Sequence, residues 1–189
     1  MAKKKASKAP IYQIKVTLHQ SKPPIWRRIL VRSDVTLEHL HYIIQVAMGW
    51  TNSHLHQFIV GRDTYYGEPH PDYFHGMLDE RKFRLHQIAP GEKSKFIYEY
   101  DFGDSWEHVI LVEKVLPHDP EQAYPVCIKG RRACPPEDVG GVWGYPMFLE
   151  AIQDPEHPEH EMYLDWIGGE FDPEEFDLEE TNEILRGLG

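Results

Sequence analysis

Three short runs of this 189-residue chain bring chemically competent side chains together. The first is His54-Leu55-His56. On a strand, residues two apart point to the same side, so both imidazoles could be offered to one metal ion. Two half-exposed histidines on a sheet face would carry the same spacing, and a zinc site needs further ligands. The second run is Tyr98-Glu99-Tyr100-Asp101-Phe102-Gly103-Asp104-Ser105-Trp106-Glu107-His108. If extended, it puts Asp104, Trp106 and His108 on one face. A carboxylate and an imidazole so placed could orient a water, form an acid–base pair, or join His54 and His56 around a cation. The alternative is a turn whose Asp101 and Asp104 accept from loop amides while Trp106 and the tyrosines pack.

The third run spans Cys127 to Gly141, CIKGRRACPPEDVGG. Its two thiols, Cys127 and Cys134, lie too far apart for the tight knuckle of a structural zinc site, and free thiols in an ordered loop fit equally well. Glu137 and Asp138 follow two prolines and are rigidly presented, as a binding loop requires. Lys129, Arg131 and Arg132 form a basic spot suited to the acidic end of the chain or to an anionic partner. The candidate binding residues are therefore Asp101, Asp104, Trp106, His108, Glu137 and Asp138. The candidate metal ligands are His54, His56, His108 and Asp104, and a divalent metal is the cofactor this pattern suggests. Phosphate-binding, dinucleotide-binding, nucleophile-elbow and H-E-x-x-H signatures are absent from the sequence.

The elements that must position these runs are legible from periodicity. Tyr12, Ile14, Val16 and Leu18 alternate as one face of a strand within residues 11–20, and Ile25 to Val31 resumes extended structure after Lys22-Pro23-Pro24. Leu37, Leu40, Ile44, Ala47 and Met48 predict a helix over 36–48, capped by Asp34 or Thr36 and left at Gly49. Strands are expected at 54–60, with His54, His56 and Phe58 on one face, at 96–100, and at 107–115, the last apolar on both faces and so central. Residues 61–76 and 117–146 read as loops. Helices are expected near 145–153, 158–167 and 178–187, with Asp172-Pro173 as a capping signal. The pattern is an α+β fold in two layers, a mostly antiparallel sheet packed against helices, with further helices at the C-terminus.

Charge divides the chain. Of 20 Lys and Arg and 31 Asp and Glu, residues 151–189 hold one base and 13 acids, a net −12; residues 1–150 hold 19 bases and 18 acids, a net +1. Anionic partners are thus disfavoured only near the C-terminal helices. Residues 1–10, with Lys3, Lys4, Lys5 and Lys8, are expected to be a disordered basic start rather than a secretory signal. Residues 11–189 are expected to form a single domain whose acidic helical part begins near residue 145. No run approaches 18 apolar residues, and two cysteines fall short of a disulfide framework, so a soluble, cytoplasmic protein without membrane association is expected.

The runs Tyr98–His108, Cys134–Tyr145 and Tyr12–Arg28, with Gly49-Trp50, His54-Leu55-His56 and the ending Trp166–Asp177, together resemble the plasmid pRiA4b ORF-3-like family, over about residues 11–187. The resemblance implies a two-layer α+β domain found in bacteria and archaea, on plasmids and chromosomes, with similar domains accompanying some insertion elements as passenger proteins. It brings no established activity, and so no catalytic residues. Members often carry a further cysteine where this chain has Val139, which weakens the case for zinc on Cys127 and Cys134. Two functions fit the sequence. The favoured one is a non-enzymatic binding or adaptor module acting on a protein or nucleic-acid partner. The alternative is a metal-dependent, hydrolase-type enzyme built on the His/Asp cluster.

Overall fold

The alternating apolar face of the first strand is what the rest of the domain is laid against. In the computed structural model, which describes residues 8–70 and 76–189, Tyr12, Ile14, Val16 and Leu18 of β1 (Ile11–Leu18) are all buried. Hairpin partner β2 (Trp26–Arg32) pairs with it antiparallel, Tyr12 opposite Val31 and Thr17 opposite Trp26. Helix α1 (Leu37–Met48) follows, its first turn capped by Thr36, whose hydroxyl accepts from the His39 amide at 3.1 Å. It ends at Gly49 in the left-handed conformation. The segment Trp50–Leu55 then leads into β3 (His56–Val60), β4 (Thr64–Gly67) and a two-residue β5 (Leu78–Asp79). A short helix α2 (Leu85–Ile88) precedes β6 (Lys95–Tyr100) and β7 (Trp106–Leu116), and β8 (Val126–Arg131) leads to α3 (Gly141–Gln153), α4 (His160–Ile167) and α5 (Leu178–Arg186).

Among the described residues eight strands join one sheet in the order β5-β4-β3-β6-β7-β1-β2-β8, antiparallel except for β4 and β5. Strand β7 is interior, between β6 and β1, as its two-sided apolar pattern requires. One face carries the core: Trp106, His108, Ile110 and Val112 of β7 and Phe96, Tyr98 and Tyr100 of β6 lie under α1 residues Leu37, Leu40, Ile44 and Ala47. The other face is mixed and half-buried, Val109 and Leu111 sharing it with Glu113, which receives Arg28 at 2.6 and 2.9 Å and Gln13 at 2.7 Å. This is the two-layer α+β arrangement expected from the sequence.

Several local expectations are corrected. The third strand starts at His56, so His54 belongs to the connection from α1. Residues 126–131 form edge strand β8 rather than loop, because β2 offers them a free edge. Helix α3 begins at Gly141, four residues early. The last helix is capped by Asp177, whose carboxylate accepts from Glu179 and Glu180 amides, both 2.9 Å, whereas Asp172 caps only a turn through Glu174 N. The lysine-rich start falls largely on residues 1–7, and part of the 61–76 loop on 71–75, outside the described residues.

The sequence also hides a buried cation. Arg27 sits on the inward face of β2 in phase with Ile25 and Ile29 and is 1% exposed. It donates to the carbonyls of Ala47 and Met48, which a helix end leaves unsatisfied, and to those of Trp26, Arg131 and Arg132. Its planar head lies over the Phe176 ring at 3.9 Å. Burial lowers its pKa to about 10, so it stays charged.

Candidate metal centre

Three pieces of backbone converge on the His54 side chain. The first is its own segment: Asn52 is in the left-handed region, held by its amide on Gln45 Oε1 at 2.8 Å, and Ser53 N donates to the Tyr100 hydroxyl at 2.8 Å. The second is the turn between β6 and β7. Asp101, at φ 60°, donates its amide to Leu55 O at 2.8 Å and accepts the Gly103 amide on Oδ1 at 2.9 Å. Oδ2 is thereby left facing His54 Nε2, 3.6 Å away. The third is the Pro135-Pro136-Glu137-Asp138 loop. Asp138, also left-handed at φ 59°, places Oδ1 3.1 Å from the same nitrogen. Asp and Asn tolerate this conformation better than most residues, yet it costs about 1–2 kcal/mol each time.

Glu137 completes the surround. Its Oε1 accepts three hydrogen bonds, from Thr51 N (2.9 Å), Thr51 Oγ1 (2.9 Å) and Tyr100 Oη (3.1 Å). Oε2, fixed by that anchoring, is buried without a hydrogen bond and lies 3.8 Å from His54 Nε2. His54 Nε2 is itself buried and makes no hydrogen bond. One ligand atom each from His54, Asp101 and Asp138 lies within 4.8 Å of the others. Burial, assisted by the Glu137 charge, pushes the Tyr100 hydroxyl up to about 12, so it remains the donor.

The two loops are fitted to each other by glycine. A Cβ on Gly141, at φ +68°, would collide with Asp104 O across the two loops, and one on Gly144 would collide with Val139 O within the acidic loop itself. Asp104 adds the polar latch, its Oδ2 accepting from Gly140 N at 3.0 Å. Asp104 therefore ties the acidic loop to the turn rather than facing His54.

The remaining sequence candidates lie elsewhere. His56 pairs with Glu80 at 2.8 Å and stacks on His41, ring centroids 3.5 Å apart and 8° from parallel. The strand does not aim it where His54 points, because the strand starts only at His56. His41, lowered to about 3 by burial and then by His56, is neutral; its Nε2–H donates to Asn52 Oδ1 and its Nδ1 accepts from Tyr98. A cavity of about 290 Å³ lies beside this stack, bordered by His41, Asn52, His54, His56, Glu80 and Arg81. His108 is fully buried and lowered to about 4 by desolvation. Its Nε2 accepts from Trp50 Nε1 at 3.0 Å, which leaves Nδ1–H to donate to Tyr98 O at 3.1 Å. Both nitrogens are engaged in the core, so His108 is not among the groups around His54. Trp106 is buried against Trp50, ring centroids 5.3 Å apart. Cys127 and Cys134 are free, and burial raises both thiols.

Of the sequence candidates, His54, Asp101, Glu137 and Asp138 are brought together, whereas His56, His108, Trp106 and Asp104 are not. Tyr100 and Thr51, which orient Glu137, were not singled out. The signal for Thr51 was its place right after Gly49-Trp50, and that for Tyr100 was a phenol on the inward face of β6 needing a polar partner.

The sequence profile of the family described as Plasmid pRiA4b ORF-3-like protein matches residues 10–180. An uncharacterized protein of Sinorhizobium fredii, y4hQ, is 38% identical over 182 residues, 95% of this chain and 93% of the relative. The crystal structure of a protein of unknown function, MM3350 from Methanosarcina mazei, is 36% identical with a TM-score of 0.83, covering 92% of this chain and 98% of that one.

Proposed function

The chain belongs to the plasmid pRiA4b ORF-3-like family, whose two relatives above are uncharacterised, and we propose that it is a divalent-metal protein with its ion held by His54, Asp101 and Asp138. The observation that carries this reading is the buried His54 Nε2, without a hydrogen bond and with three carboxylate oxygens 3.1, 3.6 and 3.8 Å away. Metal–ligand bonds of about 2.0–2.2 Å separate neighbouring donors by about 3.0–3.6 Å. Asp138 and Asp101 fall in that range, and Glu137 lies just outside it as the nearest additional donor. An imidazole with carboxylates suits Zn²⁺, Mn²⁺ or Fe²⁺ better than the all-oxygen cations. The Asp138 side chain is 68% exposed, so the ion would face solvent and keep a water, which supports metal-assisted hydrolysis as the reaction class. Metal analysis and calorimetry on untagged, chelator-treated protein test this. One ion per chain with a rise in Tm is expected; no stoichiometric uptake of any first-row divalent ion would overturn it.

A second reading, the non-enzymatic adaptor, is favoured by Trp143, Met147, Met162 and Trp166 on α3 and α4, exposed by 80, 63, 52 and 47%. Exposed aromatics and methionines of this kind suit a protein partner more than nucleic acid, given the acidic C-terminal part. Pull-downs and gel shifts that recover no partner, with wild type and with Trp143→Ala alike, would count against it. Passenger association with mobile elements belongs to this second reading and rests on the family resemblance. Among the described residues no helix is long and apolar enough to cross a membrane, and the free thiols support a cytoplasmic setting.

A further inference from the structure

The β1–β2 turn, the start of β7 and α3 enclose a cavity of about 360 Å³ that shares no wall residue with the His54 cluster. That volume lies at the lower end of ligand pockets, about 300–1,000 Å³. Its body is hydrocarbon and aromatic: Leu18, Val142, Trp143, Pro146 and Leu149. Its polar side chains are Gln20, Ser21, Lys22, Trp106 and Tyr145; Lys22 and Trp106 only donate, and none of the five only accepts. Trp106, fully buried, forms part of the wall, and its indole N–H is a buried donor with no acceptor among the described residues. A folded chain rarely leaves such a donor unpaired unless something else supplies the oxygen. Tyr145 contributes a hydroxyl with no hydrogen-bond partner among the described residues, kept protonated by burial. Lys22, exposed and without an ion pair among the described residues, stands at the rim. No carboxylate lines the cavity, in a chain of net charge −11.

We propose that this cavity binds a small apolar carboxylic acid, with its hydrocarbon body against Leu18, Val142, Trp143 and Leu149 and its carboxylate received by the Trp106 indole, the Tyr145 hydroxyl and Lys22. An amine of the same shape would meet the Lys22 ammonium as a like charge and would find as side-chain acceptors only the Gln20 amide oxygen, the Tyr145 hydroxyl and the Ser21 hydroxyl, the last already engaged by Leu18 O and Ile25 N. A bare phosphate would leave the apolar wall uncovered. This site is separate from the metal reading, since none of its lining residues is among His54, Asp101, Glu137 and Asp138.

Octanoate is the probe, with octylamine and butyrate as counter-probes, titrated by calorimetry and followed in the indole region of a ¹H–¹⁵N spectrum. The five tryptophans give five indole signals, and Trp106→Phe identifies the relevant one. Saturable 1:1 binding of octanoate is expected, with a downfield shift of the Trp106 indole proton, weaker binding of butyrate and none of octylamine. Lys22→Gln should weaken octanoate about two- to fivefold, the worth of an exposed ion pair. Leu149→Trp should fill the cavity and abolish binding. The proposal is overturned if octanoate does not saturate, if octylamine binds as well, or if binding leaves the Trp106 indole signal unmoved, water then being its acceptor.

Discussion

Tyr100→Phe removes one hydroxyl from the scaffold of the candidate centre and leaves the ring, fully buried in the core, in place. Two hydrogen bonds go with it. The bond to Glu137 Oε1, at 3.1 Å, is to a carboxylate and contributes about 1.5–3 kcal/mol. The bond from Ser53 N, at 2.8 Å, contributes less, about 0.5–1.5 kcal/mol, because the exposed Ser53 amide can turn to water. A net loss of about 2 kcal/mol corresponds to a fall in Tm of about 4–8 °C for a chain of this length. The effect on the ion is separate. Glu137 would keep its two Thr51 bonds but lose one of three anchors, so Mn²⁺ or Zn²⁺ affinity should fall about tenfold, the lower end of what outer-shell partners contribute. Thermal unfolding and calorimetry on the same preparations read the two effects independently. A fall in Tm of that size with an unchanged metal Kd would refute the placing of Glu137 beside the ion. An unchanged Tm would refute the hydrogen-bond arrangement itself.

Arg27→Met strips the partner from five backbone carbonyls and should destabilise the domain by about 3 kcal/mol or more in urea unfolding; a change below about 1 kcal/mol would contradict its role as the tie between α1, β2 and β8. Gly141→Ala puts a Cβ against Asp104 O at φ +68°, and should cost more than the ~1–2 kcal/mol of the left-handed backbone alone while weakening metal binding; an unchanged metal Kd would separate the loop fit from the centre. His108 titrates at about 4 in the fold against about 6.5 in the unfolded chain, so the unfolded state binds the extra proton between those values. Stability is then complete above about pH 6.5 and is lost as pH falls toward 4, at up to about 1.4 kcal/mol per pH unit. His108→Gln should flatten that slope in Tm measured from pH 7 to 4.5, and an unaltered slope would contradict the assignment.

What was legible in the sequence was whatever depends on local periodicity. The buried faces of β1, β6 and β7 and the stripe of α1 follow from alternation and helical spacing alone. The meeting of His54 with Asp101, Glu137 and Asp138 does not, because it depends on a left-handed Asp101 and Asp138 and on Gly141, which lets two distant loops touch. His54-Leu55-His56 invited a two-histidine pairing, and a start of strand two residues later undid it. His108 looked like a ligand because histidine is one in many sites; Trp50, 58 residues earlier, supplies the N–H that makes it a core residue. Edge strand β8 was hidden since pairing with β2, not local propensity, makes it extended.

The most direct test of the metal centre is an anomalous difference map from crystals of the full chain grown with Mn²⁺. A single peak about 2.0–2.3 Å from His54 Nε2, Asp101 Oδ2 and Asp138 Oδ1, absent in His54→Ala, is the predicted result. A map without a peak at saturating Mn²⁺, and likewise with Zn²⁺, would contradict it.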